Sequence, residues 1–243
     1  AEEKLHWEVP FLPMGVKRLF GLHQPITQEQ MLRMVAYSTT FTSMFSVISP
    51  SPFFPTYAME RFGASESLVG LTFACNPIAQ VTSAAAWAVV ISKVGRVDSM
   101  IIGLSVISLG SLIFSQGDSM AVFMIARFLQ GVGTQGTNSA GVAIILESST
   151  DVQRDMGFQE LMVGVAYMLG PLCGGTLFER YGFRFAILPS VALASSLTFA
   201  ATRLIRVPSA AHAPKHGAHQ MHLHLTASPP KQNHAAHREG DAA

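Results

Sequence analysis

An all-α, polytopic membrane protein with six transmembrane helices is the fold class this sequence predicts. Three observations lead there. Met34–Met59, Ser67–Ser92, Ser99–Gly117, Leu161–Phe178 and Phe185–Thr202 contain no Asp, Glu, Lys or Arg. Crossing a hydrocarbon core takes roughly 20 mostly apolar residues, whereas a soluble amphipathic helix carries charge every turn or two on its wet face. Short connections with turn residues separate the runs: Arg61-Phe62-Gly63, Val94-Gly95-Arg96, Gln116-Gly117-Asp118 and Tyr181-Gly182-Phe183. Finally, the basic residues are lopsided. With a cytoplasmic N-terminus, Lys4, Lys17, Arg18, Arg33, Lys93, Arg96, Arg154 and every basic residue from Arg203 onward share one side, and only Arg61, Arg180 and Arg184 face the other. Lys/Arg-rich loops stay in the cytoplasm, so both termini are expected there.

The first span reads Met34–Phe54 and is rich in hydroxyls, with Tyr37, Ser38, Thr39, Thr42, Ser43 and Ser46. The second, Ser67–Ser92, sets Asn76, Gln80 and Ser83 on one face. The third is Ser99–Gln116. The fourth, Ser119–Leu146, contains Arg127, and Gln130, Thr134, Thr137 and Asn138 follow it at helical spacing. The fifth, Gln159–Phe178, carries Gly164, Gly170, Gly174 and Gly175 around Pro171. The sixth is Phe185–Leu204. Residues 1–33 read as a loosely ordered cytoplasmic lead-in. Residues 206–243, rich in Ala, Pro and His, have too few large apolar side chains for a core and read as a disordered cytoplasmic tail.

Polar stripes inside the spans carry the functional information, because such a stripe cannot face lipid cheaply. Three of them, on the first, second and fourth spans, suggest a hydrated central cavity; interhelical hydrogen bonding in a dry bundle is the alternative. Arg127 needs water, carbonyls or a carboxylate around it, either as a structural clamp or as part of substrate binding and coupling. Small residues four apart, Gly170 and Gly174, allow close helix packing, and Pro171 bends its helix. Glu160, near the start of the fifth span, is either a desolvated proton carrier or an interfacial acid favoured by the helix dipole. Glu147 and Asp155 read as loop charges.

Several classes are excluded or left aside. A net charge of +1 with no basic patch gives no footprint for nucleic acid. No nucleotide loop, hydrolase spacing or nucleophile–base pair points to an enzyme, and no cofactor is implied. Cys75 and Cys173 form no CxxC pair and read as packing residues. Among the histidines, His219, His222 and His224 are a weak metal-ligand candidate. A metal-binding tail on a non-transporting membrane protein is the competing reading, though a low-complexity linker fits the segment better.

Arg127-Phe128-Leu129-Gln130-Gly131-Val132-Gly133 resembles the fourth-helix signature of the major facilitator superfamily. Gly164 through Gly170-Pro171 to Gly174-Gly175 resembles the fifth-helix signature of its proton-coupled antiporters. The loop signature after the second span is degraded, reading Ala88, Ser92-Lys93 and Gly95-Arg96, so Gly95 and Arg96 are what remains of a conformational loop. Closer in, Phe53-Phe54-Pro55, Ser67-Leu68-Val69-Gly70, Gly157 with Glu160, and Gly170-Pro171 through Tyr181-Gly182-Phe183 resemble the vesicular amine and polyamine transporter branch, over roughly residues 34–205.

The resemblance implies proton-coupled exchange of a small organic solute (an amine, polyamine or drug-like cation) in a vesicle, organelle or plasma membrane. It assigns Arg127, Gln130, Glu160, Asn76, Gln80 and Asn138 to substrate and coupling. Gly131, Gly164, Gly170, Pro171, Gly174 and Gly175 would pack helices. Relatives often hold carboxylates in or near the first helix; here it has none, and Tyr57 stands near a position where relatives often carry Glu. Superfamily members have twelve helices in two halves with substrate between them, and this chain has the pattern of one half. It starts at Ala1 rather than Met. Three accounts follow: a piece of a longer protein, a half that pairs with a second half or with itself, or a product without transport activity.

Overall fold

A computed structural model describes residues 28–205. They form seven helices and no strand: α1 (Gln28–Ile48), α2 (Phe54–Phe62), α3 (Glu66–Val94), α4 (Arg96–Ser115), α5 (Met120–Ser148), α6 (Val152–Tyr181) and α7 (Phe183–Ile205). The predicted lead-in before residue 28 and the tail after Ile205, with His219, His222 and His224, lie outside the described residues. By length and composition three helices are able to cross a membrane: α3, α4 and α6; a shorter apolar stretch, Phe183–Thr198, lies in α7.

The predicted first span is corrected. α1 starts earlier, at Gln28, and stops at Ile48, and a separate helix begins at Phe54. Pro50 and Pro52 are the reason, since proline offers no amide to the preceding turn. The chain turns there, with the Ser51 amide donating to the Ile48 carbonyl at 3.0 Å and the Phe54 amide to the Pro50 carbonyl at 2.9 Å. α2 ends at Gly63, which takes a left-handed φ of 62°. Ser65 caps α3 by accepting from the Leu68 amide at 3.3 Å, and Asp151 caps α6 by accepting from the Arg154 amide at 3.1 Å. Between α3 and α4 a single residue, Gly95 at φ 101°, reverses the chain; Gly182 at φ 81° does so between α6 and α7.

α5 is the central post, packed by α4, α3 and α1. Glycine makes this possible. A Cβ on Gly133 would stand 2.6 Å from the Gly103 carbonyl oxygen of α4, and one on Gly131 would collide with the Asn76 carbonyl of α3. Gly136 leaves room for the Trp87 ring, whose Nε1 donates to the Val132 carbonyl at 2.8 Å. α7 packs on α4, α6 and α1. Around the α1–α2 break, Phe53, Phe54, Phe114, Phe123 and Phe183 build an aromatic core, with Phe54 and Phe123 at 5.1 Å between centroids.

At the opposite end of α1, Asp155 is buried rather than a free loop charge, which corrects the sequence reading. It stands in the first turn of α6, ahead of the charge-free run that starts after Glu160. Ser149 donates to it at 2.7 Å, and Arg33 and Arg154 approach within 3.4 Å. Arg33 also caps α5 by donating to the Ser148 carbonyl at 2.8 Å. Glu147 is likewise paired, with Arg96 at the head of α4. Burial alone would raise the Asp155 carboxyl. The Ser149 hydrogen bond and the Arg33 and Arg154 guanidiniums outweigh it and hold the group below the usual carboxylate range.

Two outcomes are expected from this packing. Gly136→Ala forces the Trp87 ring aside and lowers stability by about 1–3 kcal/mol, whereas Trp87→Phe keeps most of the packing and loses about 1 kcal/mol with the hydrogen bond; thermal unfolding in detergent measures both. Because Asp155 is depressed in the folded state, its contribution is complete above the unfolded aspartate value of about 3.9 and is lost as pH falls through the folded one. Thermal scans therefore lose an acid-sensitive component in Asp155→Asn and show no change in it between neutral and mildly acid pH.

Candidate functional site

α5 projects its most polar face into the protein. Arg127, Gln130 and Thr134 are fully buried, and Thr137 nearly so. Of the two readings of this stripe, burial at these four positions agrees with the dry-bundle one: Arg127 and Gln130 bond to α1 and α4, and the Thr137 hydroxyl donates to the Gly133 and Thr134 carbonyls of its own helix. Only Asn138 of the set stays half-buried, where its Oδ1 faces the Ser43 hydroxyl of α1 at 3.5 Å. The stripe turns inward because Gly103 and Gly110 let α4 come close enough to cover it.

Arg127 is the largest fully buried side chain among the described residues. Its Nη1 donates to the Val47 carbonyl of α1 at 2.7 Å and to Gln130 Oε1 at 3.3 Å. The guanidinium carbon lies over the Phe73 ring at 4.8 Å and the Phe114 ring at 5.0 Å. Among the described residues no carboxylate pairs with it. Its charge is met by two π faces and by the negative end of α1. Gln130 passes the network on by donating to Ser111 Oγ of α4 at 3.0 Å.

Asn76 and Gln80 of α3 join the same centre from another side. Asn76 Nδ2 donates to the Arg127 carbonyl at 3.4 Å, and Gln80 Nε2 donates to Asn76 Oδ1 at 2.7 Å. Asn76 is buried and Gln80 half-buried, so the chain of amides runs from the interior to a partly open flank. Arg127, Gln130, Asn76 and Gln80 are therefore brought together. Asn138 stands apart beside α1, and Glu160 is elsewhere.

Glu160 lies two turns inside α6, not at its start, and is exposed. Among the described residues nothing covers its carboxylate, so neither the proton-carrier nor the interfacial reading of Glu160 is decided by burial. Gly164, one turn on, has open space where a Cβ would stand, so it packs nothing among the described residues. Gly170 and Gly174 do pack. A Cβ on Gly174 would collide with the Ser49 carbonyl, and one on Gly170 would press into the Ile48 side chain. Gly175 is looser, at 3.8 Å from Pro52, and α6 continues through Pro171. Gly95 is the α3–α4 turn and Arg96 the first residue of α4.

Two polar groups escaped the sequence reading. Gln135 and Ser139 of α5 are half-buried and joined at 3.0 Å; stepping along the helix from Arg127 selects a different face. Gln159 of α6 donates to Thr40 Oγ1 of α1 at 3.3 Å, and both are buried. No cluster of His, Cys, Asp or Glu suited to a metal occurs among the described residues. Two surface crevices, about 420 Å³ between α1, α6 and α7 and about 510 Å³ between α4 and α7, are lined by none of the predicted site residues.

Known proteins are similar to this chain in sequence. Residues 36–237 match the family described as the Major Facilitator Superfamily. The "Probable vesicular acetylcholine transporter-A" of Danio rerio is 30% identical over 129 residues, covering 52% of this chain and 25% of that protein. "Multidrug resistance protein 2" of Bacillus subtilis (strain 168) is 26% identical over 184 residues, 73% of this chain and 45% of its own length. The "Inner membrane transport protein YajR" of Escherichia coli (strain K12) is 26% identical over 179 residues, 72% and 38% respectively. The chain thus spans between a quarter and just under half of the length of these relatives. With a match over most of its residues and a helical bundle that carries both signatures, this chain belongs to the major facilitator superfamily of membrane transporters.

Proposed function

We propose that the protein moves a small organic cation (an amine, polyamine or drug-like molecule) across a vesicle, organelle or plasma membrane in exchange for protons, by alternating access. In this reading α1, α3, α4, α5, α6 and α7 are six membrane crossings with both termini cytoplasmic. A second six-helix body, from the same polypeptide or another copy, covers the faces of α3 and α6 that this bundle leaves open. The relatives' names, a vesicular acetylcholine transporter and a multidrug resistance protein, support the solute class.

The observation that carries the reading is Glu160. It stands exposed on a helix long and apolar enough to span a membrane. At the edge of the charge-free run its carboxylate is open to water, a cationic solute or a covering body, and in this reading it is the proton-exchanging group on the transport path. Gly70, Ile78 and Val81 on α3, and Gly164 and Met168 on α6, present a small or apolar surface that such a body covers. Asn138, Gln80, Gln135 and Ser139 offer neutral hydrogen-bonding groups to the solute, and Gly131, Gly170 and Gly174 keep the wall around them closed.

Acid-inside membrane vesicles carrying the protein are expected to accumulate a labelled amine, and dissipating the proton gradient to stop it. Glu160→Gln reduces gradient-driven uptake to the level of protein-free vesicles while the protein remains in the membrane. Wild-type rates in Glu160→Gln reject this residue as the proton carrier; uptake indifferent to the gradient rejects proton coupling.

A further inference from the structure

Residues 47–52 are held from two sides by the two sequence signatures, and this convergence defines what Arg127 does. In a continuous helix the Val47 carbonyl would accept from the amide four residues on, at Ser51. That amide is spent on Ile48 at 3.0 Å, and Pro50 supplies none to Ser46. Arg127 Nη1 takes the Val47 carbonyl instead, at 2.7 Å. From α6, Gly170 and Gly174 admit Ile48 and the Ser49 backbone so closely that a Cβ on Gly174 has no room. Phe53 and Phe54, immediately beyond, anchor the other side of the break in the aromatic core.

We propose that Arg127 is a positioning residue that caps the interrupted α1, holding the α1–α2 joint through a backbone carbonyl where a carboxylate would otherwise balance its charge. Three features support this. The guanidinium is wholly buried, and its shortest hydrogen bond among the described residues is the one to the Val47 carbonyl. It lies over the Phe73 and Phe114 rings, which fixes its plane. Asn76 and Gln130 bind the Arg127 carbonyl and side chain and brace it toward α3 and α4. Arg127 then sets the geometry of the joint and takes no part in carrying the proton, a role that rests on the transporter reading for its consequence but not for its test.

The test is hydrogen exchange across residues 45–57 in the whole protein in detergent micelles. Arg127→Gln is expected to speed exchange of the Ser49, Ser51 and Phe54 amides by about tenfold or more, as befits loss of a charge-assisted hydrogen bond, and to leave α7 unchanged. Arg127→Lys falls between, keeping the charge but losing the planar stacking. Gly174→Ala attacks the joint from α6 with Arg127 intact and gives the same local acceleration. In vesicles, Arg127→Gln slows uptake without moving the midpoint of its pH dependence. Unchanged exchange at the joint, a uniform rise through all helices, a Gly174→Ala variant that leaves the joint as in wild type, or a shifted pH midpoint would each overturn the proposal. If the wild type shows no uptake, the transporter reading fails while the exchange comparison still decides the role of Arg127.

Discussion

Proline at position 50 takes one amide away from a helix that would otherwise run on toward Phe62, and much of the interior is arranged around the result. A helix that ends inside a protein leaves carbonyls without donors, and such groups cost free energy unless something meets them. Arg127 meets one of them. Holding a guanidinium there requires that α5 turn its polar face inward, which requires α4 to approach within backbone contact at Gly103 and Gly133. Phe73 and Phe114 then cover the charge, and the aromatic core grows outward from them. The two glycines of α6 close the last side.

The opposite end of α1 is secured by different means. There Asp155, Arg33 and Ser149 use full charges and a capped helix end, where aromatic rings serve at the break. The contrast follows from position. Near the basic-rich connections ion pairs form beside polar backbone ends, while at the break a lone cation is surrounded by apolar side chains. α1 is thereby fastened at both ends to α5 and α6, and its middle, with Ser43 opposite Asn138 and Thr40 opposite Gln159, is left to weak neutral contacts.

The charge-free runs located several of the long helices, with Ser67–Ser92 inside α3 and Leu161–Phe178 inside α6, whereas the nine-residue α2 left no run of its own. The break in α1 was less legible: Pro50 and Pro52 sit at what looked like a span's end, and only hydrogen bonding separates an end from an interruption. Gly131, Gly170 and Gly174 stand where neighbouring backbones or side chains come too close for a Cβ, whereas Gly164 of the same signatures has open space beside it. Direction was the harder quantity. Helical spacing puts Arg127, Gln130, Thr134 and Thr137 on one face but does not say which neighbour that face meets, and the answer lay in glycines of another helix. Asp155 looked like a loop charge for a similar reason, because its partner Arg33 is distant in sequence.

Gly95 and Gly182 each reverse the chain within a single residue. α3 with α4, and α6 with α7, are therefore hairpins with no slack, and one helix of either pair cannot shift along its axis without drawing the other after it. The connections on either side of α5, Gln116–Ser119 and Ser149–Asp151, are where the bundle has length to spare. Sliding and tilting within the bundle are thus channelled into the segments on either side of α5, and an epitope or reporter placed in the chain has room at those connections and none at Gly95 or Gly182.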